Sequence, residues 1–136
     1  MGQLTSILKE KGKQQAIEFW LGGTDIYKQS FRNPKTIERM KLIGADYSFW
    51  HFTHKNKRRI LSPAASGRLH AIQVPTLVIT AEYDLKACRE IADLMEKEIP
   101  GAKKISIADA GHCMNMDQPA EFNRVLSNFL QSVEYP

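Results

Sequence analysis

Apolar residues recur at helical spacing through the first part of the chain. Thr5 or Ser6 is a candidate cap for a short first helix that Gly12 interrupts, and a second run continues until Gly22 and Gly23 stop it. The second run places four apolar side chains on or near one face: Ala16, Ile17, Phe19 and Trp20. This pattern predicts two helical segments before residue 24.

A further helix is predicted to begin at Asn33-Pro34. Asparagine offers a capping oxygen, and proline fits the first helical position because its missing N–H would have no partner there. The apolar residues that follow at helical spacing are Ile37, Met40, Ile43 and Tyr47. An aromatic cluster comes next, and from Lys55 to Gly67 we expect mostly loop, with Ser62-Pro63 as a turn or a helix entry.

The second half of the chain changes to short apolar runs that alternate with helices. Val74–Thr80 is rich in branched residues, which predicts a strand buried on both faces of a parallel sheet, and Lys104–Ala108 predicts a second strand. Between them, Lys86–Glu98 has the pattern of an amphipathic helix, with its apolar stripe formed by Ala87, Ile91, Leu94 and Met95. Pro119 begins a last helix with the stripe Phe122, Val125, Leu126, Phe129 and Leu130. The order strand, helix, strand, helix predicts an α/β fold with parallel strands joined by a crossover.

Length and composition are those of an ordinary globular protein. The 136 residues are 43% hydrophobic, enough for one compact core. The first residues lack the apolar core and cleavage site of a signal peptide, and no apolar run approaches the roughly 18 residues that span a bilayer. We therefore expect a cytosolic protein that does not bind membranes.

Charge divides the chain near Gly67. Residues 1–68 hold 13 Lys and Arg against 5 Asp and Glu, whereas residues 69–136 hold 6 against 10. The one concentrated basic run is Lys55–Arg59, which could attract nucleic acid or an anionic membrane. A solvated loop is the favoured interpretation, since no nucleic-acid-binding motif accompanies the charge. We expect no nucleic-acid partner.

The two cysteines, Cys88 and Cys113, have neither C-x-x-C spacing nor a partnering histidine cluster. This argues against a zinc site and against a disulfide framework, so both are interpreted as reduced thiols. We expect no metal and no cofactor.

Two residues stand out as candidates for chemistry, because each follows a predicted parallel strand. Asp84 comes after the first strand and His112 after the second. Ligands gather at the carboxyl ends of such strands, where the carboxylate would accept a hydrogen bond from one imidazole nitrogen and leave the other free to take a proton. The alternatives are a helix cap for Asp84 and a turn residue for His112.

The same region carries a resemblance to a known family. It rests on segments in a fixed order: Ile72–Thr80, Glu82, Asp84, Ile99–Ala102, Gly111-His112 and Asp117–Phe122. Together they resemble the C-terminal end of the α/β-hydrolase superfamily, of the proline iminopeptidase, enol-lactonase and carbon–carbon bond hydrolase type. The resemblance implies a partial α/β-hydrolase fold in which residues 1–68 are a helical cap-like region and residues 69–136 are the C-terminal βαβα part of the core. It also implies that Asp84 is the acid and His112 the base of a catalytic triad.

The sequence departs from that family at the nucleophile. Family members place it in a G-x-S-x-G elbow ahead of the cap, and none of the eight serines here has that context. The nearest approach, at Ser66, has Ala and Arg where the elbow needs glycines. Cys113 is a poor substitute because side chains of adjacent residues point apart and His112 is already the base. No nucleophile is assigned.

We therefore expect roughly the last half of a hydrolase, with inherited chemistry for ester, amide or activated-carbonyl hydrolysis but without nucleophile and oxyanion hole. The expected partner is a second copy in a homodimer or a complementary N-terminal half. The alternative is a non-catalytic module that folds through such an association.

Aromatic and thioether side chains are candidates for a substrate pocket. Phe49, Trp50, Phe52 and Met114 could face a small-molecule substrate near the histidine, or they could be ordinary core. Trp20 and Met116 are more simply explained by packing.

Overall fold

The computed structural model of the chain describes residues 2–54 and 62–133. Its helices and strands follow in the order α1 (Gly2–Gly22), α2 (Pro34–Asp46), α3 (Trp50–Thr53), β1 (Leu77–Ala81), α4 (Lys86–Glu98), β2 (Lys103–Ile107), α5 (Met114–Asp117) and α6 (Pro119–Ser132). Short 3-10 helices cover Asp25–Tyr27, Ser30–Arg32 and Ala65–Ala71. The basic run Lys55–Arg59 lies outside the described residues. Among those described, none of the helices combines the length and the apolar character that crossing a bilayer requires.

Helix α1 is broken where the sequence predicted an interruption. Gly12 has φ 83° and ψ 178°, a conformation that glycine adopts without the steric cost of a Cβ atom. The predicted capping by Thr5 or Ser6 is wrong, because the helix already begins at Gly2. The Thr5 hydroxyl instead donates a hydrogen bond of 3.3 Å to the carbonyl oxygen of Phe52, which ties α1 to α3.

Helix α2 begins as predicted. The Asn33 side chain accepts a hydrogen bond of 3.1 Å from the Lys35 amide, and Pro34 takes the first helical position. The predicted apolar face is only partly correct, since Met40 is buried whereas Ile43 remains 54% exposed. Ile43 lines an open cavity instead of the core.

The helical region has a core of its own. Its buried members are Leu4, Ala16, Ile17, Leu21, Met40 and Phe49. Cys113 and Met116, which follow the second strand, pack against the same cluster. The helical region therefore lies against the loop that carries His112.

The sheet consists of β1 and β2 paired in parallel, with Ile79 opposite Ile105. The parallel pairing confirms the predicted topology, although β1 begins three residues later than predicted and β2 is shifted by one. Complete burial of the first strand on both faces is not observed, because Leu77 and Ile79 of β1 are only half-buried. In the described ranges each strand has one neighbour, so each strand also has an unpaired edge.

Helices α4 and α6 have the predicted starts, and α4 also ends where predicted. The buried stripes are narrower than the sequence suggested. On α4 it is Ala92 that is buried, while Ile91 and Leu94 are 57% and 38% exposed. On α6 only Val125 is fully buried, and it packs with Ala81, Ile107 and Ala110.

Candidate active site

The loops after β1 and β2 are joined to each other by main-chain hydrogen bonds. The Glu82 amide donates to the Ile107 carbonyl and the Tyr83 amide donates to the Ala110 carbonyl, both at 3.0 Å. The Glu82 carboxylate also accepts from the amide of Asp109 at 3.0 Å. These contacts fix the two strand ends relative to each other, as expected where neighbouring parallel strands finish at one edge of a sheet.

Asp84 and His112 meet at this edge. His112 Nδ1 lies 2.9 Å from Asp84 Oδ1, and that oxygen also accepts a 2.7 Å hydrogen bond from the Leu85 amide. The Asp84 side chain is 5% exposed, whereas that of His112 is 36% exposed. A buried carboxylate that accepts a hydrogen bond from Nδ1–H keeps the proton on that nitrogen and leaves Nε2 with a free lone pair.

The alternative role of Asp84 as a helix cap is not what the structure shows. Leu85, not Asp84, is the N-cap residue of α4, and the Asp84 carboxylate accepts from the amide of that N-cap residue. The predicted neighbourhood of Asp84 and His112 is thus realised in space, while their catalytic role remains a prediction.

A partly buried hydrogen-bond network holds the histidine loop against the helical region. The Ser30 hydroxyl donates to Asp117 Oδ2 at 2.7 Å, and the Gly111 amide donates to the same oxygen at 3.0 Å. The Ser30 oxygen in turn accepts from the Cys113 amide at 3.4 Å. Because Gly111 and Cys113 flank His112, the network constrains the backbone on both sides of the imidazole.

Gly111 is required by close approach of the chain. A Cβ atom at this position would lie 2.8 Å from Gln29 Cβ and 3.1 Å from the Ser30 amide nitrogen. Such distances are shorter than van der Waals contact, so a side chain would push the helical region away from the histidine loop.

Both cysteines near the site are free thiols. Burial raises the pKa of Cys113, with a further contribution from Asp117. Burial likewise raises the pKa of Cys88, assisted by the nearby carboxylate of Asp84. A raised pKa lowers the thiolate fraction at neutral pH, which argues against either cysteine as an activated nucleophile. Within residues 2–54 and 62–133, no serine or cysteine side chain is hydrogen-bonded to His112.

An apolar cavity of about 440 Å³ lies beside the histidine. Cys113, the residue after His112, lines it, and so does Tyr27, whose ring centroid lies 6.2 Å from the imidazole in an edge-on arrangement. Desolvation raises the pKa of Tyr27, so its hydroxyl stays protonated. Further lining comes from Trp20, Leu21, Met40, Ile43, Tyr47 and Met116.

The four residues predicted for a substrate pocket lie elsewhere. Phe49 is 1% exposed in the core of the helical region, and Phe52 packs against that core. Trp50 is 49% exposed and stacks on His54. Met114 packs against the buried cluster that contains Ala81 and Val125. None of the four lines the cavity next to His112, and their part in substrate binding remains untested.

Sequence reasoning missed three residues at the site. Asp117 begins one of the segments that carry the family resemblance, but no functional role was predicted for it. Its position five residues after His112 is the signal that could have indicated it. Cys88 lies four residues after Asp84 at the start of a helix, a spacing that returns a side chain to the same neighbourhood. Nothing in the sequence indicates Ser30, because its contacts depend on how the helical region packs.

Comparison with known proteins identifies the fold to which this site belongs. No protein-family model matches the chain. A solved carboxylesterase from Bacillus subtilis, CesB, superposes with a TM-score of 0.68 at 18% identity, covering 98% of this chain and 46% of the esterase. The chain therefore has a partial α/β-hydrolase fold.

Curated relatives agree with that fold. The bifunctional epoxide hydrolase 2 of Sus scrofa is 35% identical over 79 residues, which are 58% of this chain and 14% of the relative. The 3-oxoadipate enol-lactonase 1 of Acinetobacter baylyi is 26% identical over 116 residues, 85% of this chain and 41% of the lactonase. The matched part spans less than half of either relative. These matches point to the α/β-hydrolase superfamily, as the sequence resemblance implied.

Proposed function

We propose that Asp84 and His112 are the acid and the base of a serine-hydrolase triad that a separate segment or chain completes with the nucleophile. The observation that carries the proposal is the 2.9 Å contact between a buried carboxylate and a partly exposed imidazole. The name of one relative, the 3-oxoadipate enol-lactonase, supports the same class of reaction, since a lactone is a cyclic ester.

In this proposal the reaction is acyl transfer to water. A serine on a G-x-S-x-G elbow attacks an ester, amide or activated carbonyl, and its proton passes to Nε2 of His112. Asp84 accepts the hydrogen bond from Nδ1–H and stabilises the imidazolium that forms, while amides of the completing segment bind the oxyanion. His112 then returns the proton to the leaving group, and water deprotonated by the same Nε2 attacks the acyl-enzyme, releasing the acid and the protonated serine.

The cavity lined by Trp20, Tyr27 and Met116 is the proposed site for the apolar part of the substrate. Its aromatic and thioether lining fits an apolar acyl or alcohol group. In the same proposal residues 1–68 act as the cap and residues 69–136 as the C-terminal part of the hydrolase core.

Complementation tests this function. The chain is co-expressed with the N-terminal half of the CesB carboxylesterase, and the purified complex is assayed with p-nitrophenyl acetate. We expect turnover that falls at least about 10³-fold in His112→Ala and up to about 10⁴-fold in Asp84→Asn, because the base or its orientation is lost. His70→Ala is the matched control, since His70 is exposed on the 3-10 helix Ala65–Ala71. A complex whose turnover is unchanged by His112→Ala, or that has none, contradicts the proposal.

A second candidate is a non-catalytic module that associates with another chain. The observation in its favour is the unshielded apolar surface of the sheet region, where Ile105, Ile91 and Leu94 are exposed. Under this candidate the complex forms in the same experiment but hydrolyses no ester.

A further inference from the structure

Three side chains that ligate transition metals converge at the end of β1. They come from three elements: Asp84 from the loop after β1, Cys88 from the first turn of α4, and His112 from the loop after β2. One ligand atom from each, a carboxylate oxygen, the thiol sulfur and an imidazole nitrogen, all lie within 4.8 Å of one another. No metal site was expected from the sequence, because the two cysteines lack C-x-x-C spacing. The fold nevertheless brings His112 next to Asp84 and Cys88.

The chemistry of the three groups selects one class of cation. A thiolate together with an imidazole and a carboxylate suits zinc and similar thiophilic divalent ions, whereas magnesium and calcium prefer oxygen ligands alone. From zinc–ligand bonds of about 2.0–2.3 Å, tetrahedral ligand atoms lie roughly 3.3–3.8 Å apart, so small side-chain rotations close the site. Three protein ligands leave the fourth position to water.

We propose that Asp84, Cys88 and His112 form a binding site for a thiophilic divalent cation such as Zn²⁺. On binding, the thiol proton of Cys88 is released to solvent, while the neutral imidazole of His112 changes tautomer, its proton moving through solvent from Nδ1 to Nε2 so that the Nδ1 lone pair binds the cation. The metal replaces the hydrogen bond between Asp84 and His112, and the carboxylate becomes a ligand. No redox change is involved.

Metal binding at Nδ1 changes what the histidine can do. A neutral imidazole coordinated through Nδ1 carries its single proton on Nε2, which then has no lone pair to accept a proton. If His112 is the base of the proposed hydrolase, on which this step rests, the bound cation switches that base off. The site is then an inhibitory one built from two triad residues and one cysteine that the hydrolysis reaction does not use.

Cobalt substitution tests the binding without any assay of activity. Co²⁺ is titrated into the reduced full-length chain, and a sulfur-to-cobalt charge-transfer band in the near ultraviolet reports a thiolate ligand. We expect the band in the wild type and in Cys113→Ser, and its loss in Cys88→Ser. Zn²⁺ displaces Co²⁺ and binds Cys88→Ser at least about tenfold more weakly than the wild type. Circular dichroism of each variant establishes that it is folded.

Cys113→Ser is a matched control because it removes the other free thiol of the chain, which lines the apolar cavity. Absence of the band from the wild type, or its persistence in folded Cys88→Ser, overturns the proposal.

Inhibition by the cation is measured separately, in the complex of this chain with the N-terminal half of CesB. There, Cys88→Ser should raise the Zn²⁺ concentration for half-inhibition at least about tenfold. A complex without esterase activity would refute the proposed hydrolase while leaving the cobalt result to stand.

Discussion

Asp84 and His112 differ in their access to water, and the difference matches the roles proposed for them. A carboxylate that is 5% exposed can hold the imidazole in one orientation, while a ring that is 36% exposed can still reach a substrate. The sequence predicted their proximity because parallel strands end at a common edge. It could not predict the depth of burial of either side chain, which depends on α4 and on the helical region.

The raised pKa values of the two thiols can be tested by their rates of alkylation. Because burial raises the pKa of Cys88 and Cys113 above the usual thiol value of 9.0, both should be alkylated by iodoacetamide at pH 7 more slowly than a free cysteine. The rates should keep rising as the pH passes 9.0. Mass spectrometry of tryptic peptides over time measures each site, and a rate that levels off below pH 9.0 would refute the expected shift.

The elements show where sequence patterns are informative and where they fail. Helix α4 and the start of α2 follow from local signals, amphipathic spacing in one and an Asn-Pro start in the other. Burial of Ile43 and Ile91 was wrongly predicted, because periodicity identifies an apolar face but not whether another element covers it. Short α5 was missed, since four residues carry too little periodic signal.

The contact between the helical region and the histidine loop gives a prediction at the element scale. Gly111→Ala should lower the free energy of unfolding by about 1–3 kcal/mol, because the added methyl group meets Gln29 and Ser30. Gly67→Ala is the matched control, since a Cβ there has nothing within 4 Å. Urea unfolding measures both. Equal stabilities for the two variants would mean that the helical region does not pack on the loop as described.

At the scale of the whole molecule, the small sheet has outer strand edges that a partner would have to pair with or cover. Two strands leave an outer edge on each side in the described part, and short isolated sheets of this size are marginally stable in water. The sequence anticipates both unpaired edges, because it predicts two strands joined by one crossover.

We expect the isolated chain to form a homodimer that covers its exposed apolar residues. Light scattering coupled to size exclusion should give twice the chain mass of 15.5 kDa. Replacing two exposed apolar residues, as in Ile91→Lys with Leu94→Lys, should shift the equilibrium toward monomer if α4 is part of the interface. A well-folded wild-type monomer of 15.5 kDa would contradict this expectation.

In the proposed hydrolase, Asp84 sets the tautomer of His112 so that Nε2 is free to act as a base. Nitrogen-15 NMR of the metal-free chain, recorded at a pH at which the imidazole ring of His112 is neutral, measures that tautomer directly. We predict that His112 carries its proton on Nδ1, whereas exposed His70 shows the tautomer mixture of a free histidine. A His112 ring protonated on Nε2, or indistinguishable from His70, would contradict the assignment of the pair.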